Sequence, residues 1–158
     1  MRGKSVTALA AFIVSLAGAV WIDFGTGVSE AKVTILEQSN SHTMFEVTIP
    51  GIEVEQVEVE GRAYSRLTVP GALPSCHGVG RPEVPRVSVL LAIPNGAAVS
   101  FDVATEETQT LKIPDVYPAQ PPLLDGEEPG EFVADKDFYR QDVVYPAANA
   151  EWVNLGTS

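Results

Sequence analysis

Cys76 and His77 stand side by side in "PSCHGVG", residues 74–80, and are the residue types of a thiol nucleophile and its base. A thiol becomes reactive when an imidazole or a helix terminus stabilises its thiolate, and the imidazole needs a third group to hold it. Neighbours on an extended chain point to opposite sides, and in Cys/His enzymes the partners come from distant segments and meet only in the fold. Cys76 is the one cysteine, His42 the one other histidine, and neither imidazole sits near a nucleophile signature. No catalytic residue is assigned, and the thiol reads as an inert loop residue. One Cys and two His without ligand spacing cannot close a tetrahedral zinc site. The acidic run "DGEEPGE" offers Asp125, Glu127, Glu128 and Glu131 as oxygen ligands for a hard cation, but its spacing fits no calcium loop and it reads as a solvated turn. No metal and no cofactor is therefore expected.

The elements around these residues begin with a leader. Arg2 and Lys4 precede the apolar run "ALAAFIVSLAGAVWI", residues 8–22, which is short for a bilayer span and has the basic flank of a secretory signal peptide. Small residues at Ser29 and Ala31 allow a cut after Ala31; Ala17 and Ala19 allow an earlier one. The later cut is the expectation, because Lys32 opens a strand pattern, giving a signal peptide over 1–31 and a domain over 32–158. An uncleaved anchor is the alternative, since tilting or thinning of the bilayer can accommodate a short run. After cleavage no stable membrane association is expected, and the protein is placed as secreted, periplasmic or on the cell surface. In such an oxidising compartment a single cysteine can form no internal disulfide, so stability must come from packing. The formal net charge of -11 belongs wholly to residues beyond 31, where nineteen acidic side chains face eight basic ones. That charge makes nucleic acid and anionic membranes poor partners.

Beyond residue 31 the apolar pattern has period two and no window of helical length shows a 3.6 period, so the chain is predicted to be all-β. "KVTILE" puts Val33 and Ile35 on one face, and "TMFEVTI" does the same with Phe45, Val47 and Ile49. In "IEVEQVEVEG" the apolar set slips from Ile52 and Val54 to Val57 and Val59, which predicts a bulge near Glu55 and Gln56. "RVSVLLAI" is apolar on both faces, as a central strand would be, and Asn95 with Gly96 marks a hairpin into a strand carrying Val99, Phe101 and Val103. Leu91 and Phe101 are expected inside. "IPDVYPAQPPLLDGEEPGEF" holds five prolines and is predicted to be a long surface loop. The fold expected is a β-sandwich of mainly antiparallel strands with a long Pro-rich loop.

The segment "GRPEVPRVSVLLAIPNGAAVSFDV" resembles the propeptide of gingipain-type cysteine peptidases through Gly80, Pro82, Val84 and Pro85, followed by a buried strand and a hairpin. "LKIPDVYPAQPP" and "FYRQDVVYP" are similar to the Pro-rich and Tyr/Pro segments that follow in that family, and "KVTILEQSNSHTMFEVTIPG" is similar to its first strands. The resemblance implies a β-sandwich prodomain that keeps a cysteine peptidase latent and aids its folding by covering the active-site cleft. Its partner would be the catalytic domain of such a peptidase, in cis or in trans. The family's propeptides continue with further strands and a catalytic domain, so the chain is expected to be truncated at its C-terminus and not itself an enzyme. A prodomain thiol blocking a metalloprotease zinc is another role open to Cys76, but its surroundings do not reproduce that motif.

A cleft-covering segment should be extended, stiffened by proline and preorganised. The candidate inhibitory loop is Tyr117, Pro118, Ala119, Gln120, Pro121 and Pro122, within residues 117–124, with Gln120 the side chain to enter a specificity pocket. An ordinary Pro-rich connection packed on its own sheet is the competing reading of the same residues. No Lys or Arg lies between Tyr117 and Glu131, so the parent peptidase need not select basic residues. The remaining alternative is an exported β-sandwich binding or adhesion module, for which Trp152, Tyr139 and Tyr145 form the one aromatic cluster in view.

Overall fold

The computed structural model describes residues 18–75, 78–93, 98, 100–104, 108–123, 125–126, 128, 130–147 and 150–151. The chain is all-β with antiparallel strand pairs, as the period-two alternation predicts. Among the described residues its strands are β1 (Val20–Asp23), β2 (Lys32–Gln38), β3 (Thr43–Thr48), β4 (Gly51–Val59), β5 (Arg62–Thr68), β6 (Leu73–Pro74) and β7 (Pro85–Arg86), with one turn of 3-10 helix at Phe138–Arg140. They form a three-stranded sheet in the order β1-β4-β5 and two ribbons, β2-β3 and β6-β7.

β4 and β5 are joined by Glu60 and Gly61, both at positive φ, the requirement of a two-residue hairpin whose twist matches its strands. Their register runs without interruption from Glu53↔Thr68 to Val59↔Arg62. The bulge predicted near Glu55 and Gln56 is therefore absent. Val54 and the pair Val57 and Val59 lie on opposite faces of a regular strand, and both faces gain cover: Val54 is 3% exposed, and Val57 lies opposite Tyr64, also 3% exposed. The register shift in the chain falls instead between Ile35 and Glu37 of β2, where Leu36 is the extra, exposed residue. On the near side of that bulge Val33 faces Val47 and Ile35 faces Phe45, so all four side chains share one face of the β2-β3 ribbon, and all four are exposed.

β1 lies inside the span read as leader. Val20, Trp21, Ile22 and Asp23 pair with Val54, Glu53, Ile52 and Gly51 along the outer edge of β4. Four residues beside a longer apolar run carry too short an alternation to stand apart from it in the sequence.

Two further expectations give way. Residues 87–93, predicted as a central strand, form no ladder: Leu91 is half-buried and Leu90 is 81% exposed. Phe101, expected inward, is 48% exposed. β-branched and aliphatic content suits a residue to a strand, but only a paired neighbour makes one. Asn95, Gly96 and Val99 lie outside the described residues, as do Cys76 and His77. The Pro-rich stretch, predicted to be a surface loop, is buried at its centre, with Pro118 fully buried and Ala119 1% exposed.

Candidate functional site

The free edge of β5 is where the motif residues meet. Ser65 N–H donates to Asp115 O (2.7 Å), and Tyr117 N–H donates back to Ser65 O (2.8 Å), setting residues 115–117 parallel to β5. Ser65 is 0% exposed, and its hydroxyl donates to Pro114 O (3.1 Å), so every polar group of this buried residue is used. Residues 117–119 are paired on their far side as well. Glu83 N–H donates to Tyr117 O (2.8 Å), Ala119 N–H to Arg81 O (2.8 Å) and Gly80 N–H to Ala119 O (2.7 Å), with Pro82 opposite Pro118 in an antiparallel bridge. Pro118 has no N–H to lose, so a proline sits here without orphaning a donor.

Gly80, Pro82, Val84 and Pro85 belong to one excursion of chain. Its base is closed by β6 and β7, with Pro74 opposite Pro85 and Ser75 N–H donating to Val84 O (3.1 Å). Its tip is held by residues 117–119. Gly80 requires its lack of a side chain: φ is +84, and a Cβ would lie 3.0 Å from the backbone nitrogen of Asp135, which donates to Gly80 O at 2.8 Å. The two sets of residues singled out separately in the sequence thus lie side by side, joined by backbone hydrogen bonds and an isolated bridge.

Gln120 turns inward. Its amide donates to Val133 O and accepts from Val133 N–H, both at 2.9 Å, and donates to Pro118 O at 2.9 Å, which substitutes a side chain for one more rung of backbone pairing. Pro121, Pro122 and Leu123 remain exposed. Of the candidate inhibitory residues, Tyr117, Pro118, Ala119 and Gln120 are therefore packed on the chain's own sheet in this structure, and the proline pair is the part presented to solvent. Gln120→Ala removes three bonds, each worth about 0.5–1.5 kcal/mol net, partly replaced by water. A destabilisation of about 1–2 kcal/mol in urea unfolding is expected; a change below about 0.3 kcal/mol would show that the clasp contributes nothing.

Aromatic rings cover the β5 face carrying Arg62, Tyr64 and Arg66. The Tyr64 ring lies 6.1 Å from Tyr117, 5.7 Å from Phe132 and 6.1 Å from Tyr139. Arg62 stacks over Tyr64 and Tyr139 at 5.2 and 5.4 Å and pairs with Asp115, whose hydrogen bond holds the guanidinium pKa above its ordinary value. Arg66 lies 4.6 Å over Tyr117 and 3.5 Å from Glu55. Tyr139 donates its hydroxyl to Val116 O (2.6 Å), and burial, before any neighbouring charge, pushes its phenol pKa up. Tyr145 packs on Phe138 at 5.2 Å, and Trp152 lies outside the described residues.

Among the described carboxylates Glu83 has its pKa raised, by burial, with Arg66 opposing. The folded state then binds its proton more tightly than the unfolded chain, so stability falls as pH rises through the interval just above the ordinary glutamate range. Glu83→Gln is expected to remove this loss, so that the thermal midpoint of the variant relative to the native chain rises with pH just above the ordinary glutamate range and is unchanged or higher at pH 7. A midpoint difference, variant minus native, that falls with pH over that interval would contradict this sign.

Among the described residues no group of three or more His, Cys, Asp or Glu side chains could hold a metal, and no helix is long and apolar enough to cross a membrane.

The family model Propeptide_C25 matches residues 26–154. Lys-gingipain of Porphyromonas gingivalis strain ATCC 33277 is 34% identical over 98 residues, covering 58% of this chain and 6% of the relative. Lys-gingipain HG66 and Lys-gingipain W83, from the same species, match to the same extent. The chain thus spans a small part of the length of these relatives, and no solved structure matches it.

Proposed function

The chain belongs to the Propeptide_C25 family, and from that premise we propose that it acts as the latency domain of a gingipain-type cysteine peptidase, inhibiting the catalytic domain and assisting its folding. The family match over residues 26–154 carries this reading. The partner is the catalytic domain, in cis or in trans, met outside the cytoplasm in a secreted or surface-attached precursor. The chain supplies binding energy and shape rather than chemistry, with no catalytic residue and no cofactor of its own.

Two features support the reading. The uncovered apolar face of Val33, Ile35, Phe45 and Val47 is a surface that gains from a partner. Pro121 and Pro122 are exposed next to a segment clamped on both sides, so little freedom is lost when they are covered. Contact through this loop therefore falls to the proline pair and Leu123 while residues 117–120 hold them in place.

The test is a titration of the full chain into its accompanying gingipain-type catalytic domain, with Lys-gingipain as a second target. Saturable loss of peptidase activity at one-to-one stoichiometry is expected. Replacing Pro121 and Pro122 together by Gly should raise the inhibition constant by about tenfold, which corresponds to about 1.4 kcal/mol, with no change in melting temperature. A folded chain that leaves both peptidases fully active would remove the proposal; equal inhibition by the Gly variant would remove the proline pair from it.

A further inference from the structure

We infer that the leader is cut after Ala19, and that the exported domain begins at Val20 rather than at Lys32. Four observations converge on this. The first is pairing: Val20–Asp23 matches Gly51–Val54 residue for residue, on the edge of β4 that no other described strand covers. Removing residues 20–31 would strip that edge and leave a row of unpaired donors and acceptors in an exported chain that has no disulfide to compensate.

The second is continuity. The residues after β1 stay attached to the domain at three further points. Phe24 N–H donates to Pro50 O (3.0 Å), the Thr26 hydroxyl to Ile49 O (2.9 Å) and Ala31 N–H to Pro70 O (2.6 Å).

The third is Gly51. It lies in an extended strand and needs no positive φ, so its own backbone does not call for glycine. A Cβ there would lie 2.3 Å from Ile22 O and 2.7 Å from Cζ2 of Trp21. Both obstacles belong to β1. A glycine in a strand ordinarily weakens it, and here, at the start of β4, it makes room for a segment that a cut after Ala31 would discard. The fourth is the family match, which starts at residue 26 and so includes six residues that the later cut would remove.

The sequence around Ala19 is suited to the cut. Ala17 and Ala19 place small side chains three and one before it, and residues 8–16 remain as an apolar core of the length such leaders use. The inference rests on the chain being exported through a cleaved leader; it does not depend on the latency role.

The test is expression of the full chain in an exporting bacterial host, followed by intact mass and N-terminal sequencing of the exported product. A start at Val20 is expected. Ala17→Gln with Ala19→Gln should block processing and accumulate the precursor, while Ala31→Gln should leave the product's N-terminus unchanged. A start at Lys32, a block by Ala31→Gln, or an exported chain that retains its leader would each overturn the inference. None of these outcomes bears on the peptidase titration, so the two readings fail separately.

Discussion

Tyr64→Ala is expected to cost about 3–5 kcal/mol, the range for deleting a buried aromatic ring, and so to remove a large share of the stability of a domain this size. Tyr64 is 3% exposed, and three other rings are arranged around it, each offset or edge-on in the manner that adds to simple burial. Those rings arrive from residues 117, 132 and 139, all C-terminal to the strands. Deleting Tyr64 leaves a cavity where rings from the later chain pack on the sheet, and Arg62 loses one of its two aromatic supports. Near-UV circular dichroism during chemical unfolding is the measurement. Phe101→Ala, at an exposed ring, should stay within about 1 kcal/mol. Comparable losses at the two positions would refute Tyr64 as the centre of the core.

Gly80→Ala comes second, at about 2–3 kcal/mol. A side chain at φ +84 costs about 1–2 kcal/mol through contact with its own backbone. Its Cβ would also press on the nitrogen of Asp135, a backbone atom that cannot swing aside. Relief of either strain pulls Gly80 away from Ala119 or from Asp135, so one of two ladder bonds is lost. Gly130 is the control: nothing stands within 4 Å of the position a Cβ would take there. Gly130→Ala should shift the urea midpoint little, and equal shifts for both variants would show that crowding at Gly80 is unimportant.

The β-class and the positions of β2 to β5 could be read from the alternation of Val, Ile and Phe, because period two is a local property of the chain. The side on which each face is covered could not. Val54 and Val57 are apolar on opposite faces because cover arrives from chain far away in sequence, and the same pattern invited a bulge that the hairpin register does not contain. The bulge that does occur, at Leu36, sits where an aliphatic residue hides it in a run of aliphatics. At the candidate site, Gly80, Pro82, Val84 and Pro85 were legible as a motif, and residues 117–122 as a stiff extended segment. Their adjacency was not, since proline content argues against ladders in general and says nothing of the one backbone position in a ladder that needs no donor. The inward turn of Gln120 was likewise invisible, because a side-chain amide that mimics backbone pairing leaves no periodicity.

The parallel bridge between Ser65 and Val116 has a kinetic consequence. Ser65 and Pro114 are joined across 49 residues, whereas the β4-β5 hairpin closes through two. Local hairpins form in microseconds, but a junction of this separation must first overcome the closure entropy of the whole intervening loop. During that interval the outer edge of β5 is a vacant template for strands of other chains. High-separation contacts slow folding generally, and a nascent domain with an open edge is exposed to aggregation for as long as the delay lasts. The closing segment lies in the C-terminal half, so the edge stays open at least until that part of the chain has been made. Translation and export rates thereby enter the yield of this domain as directly as its packing does.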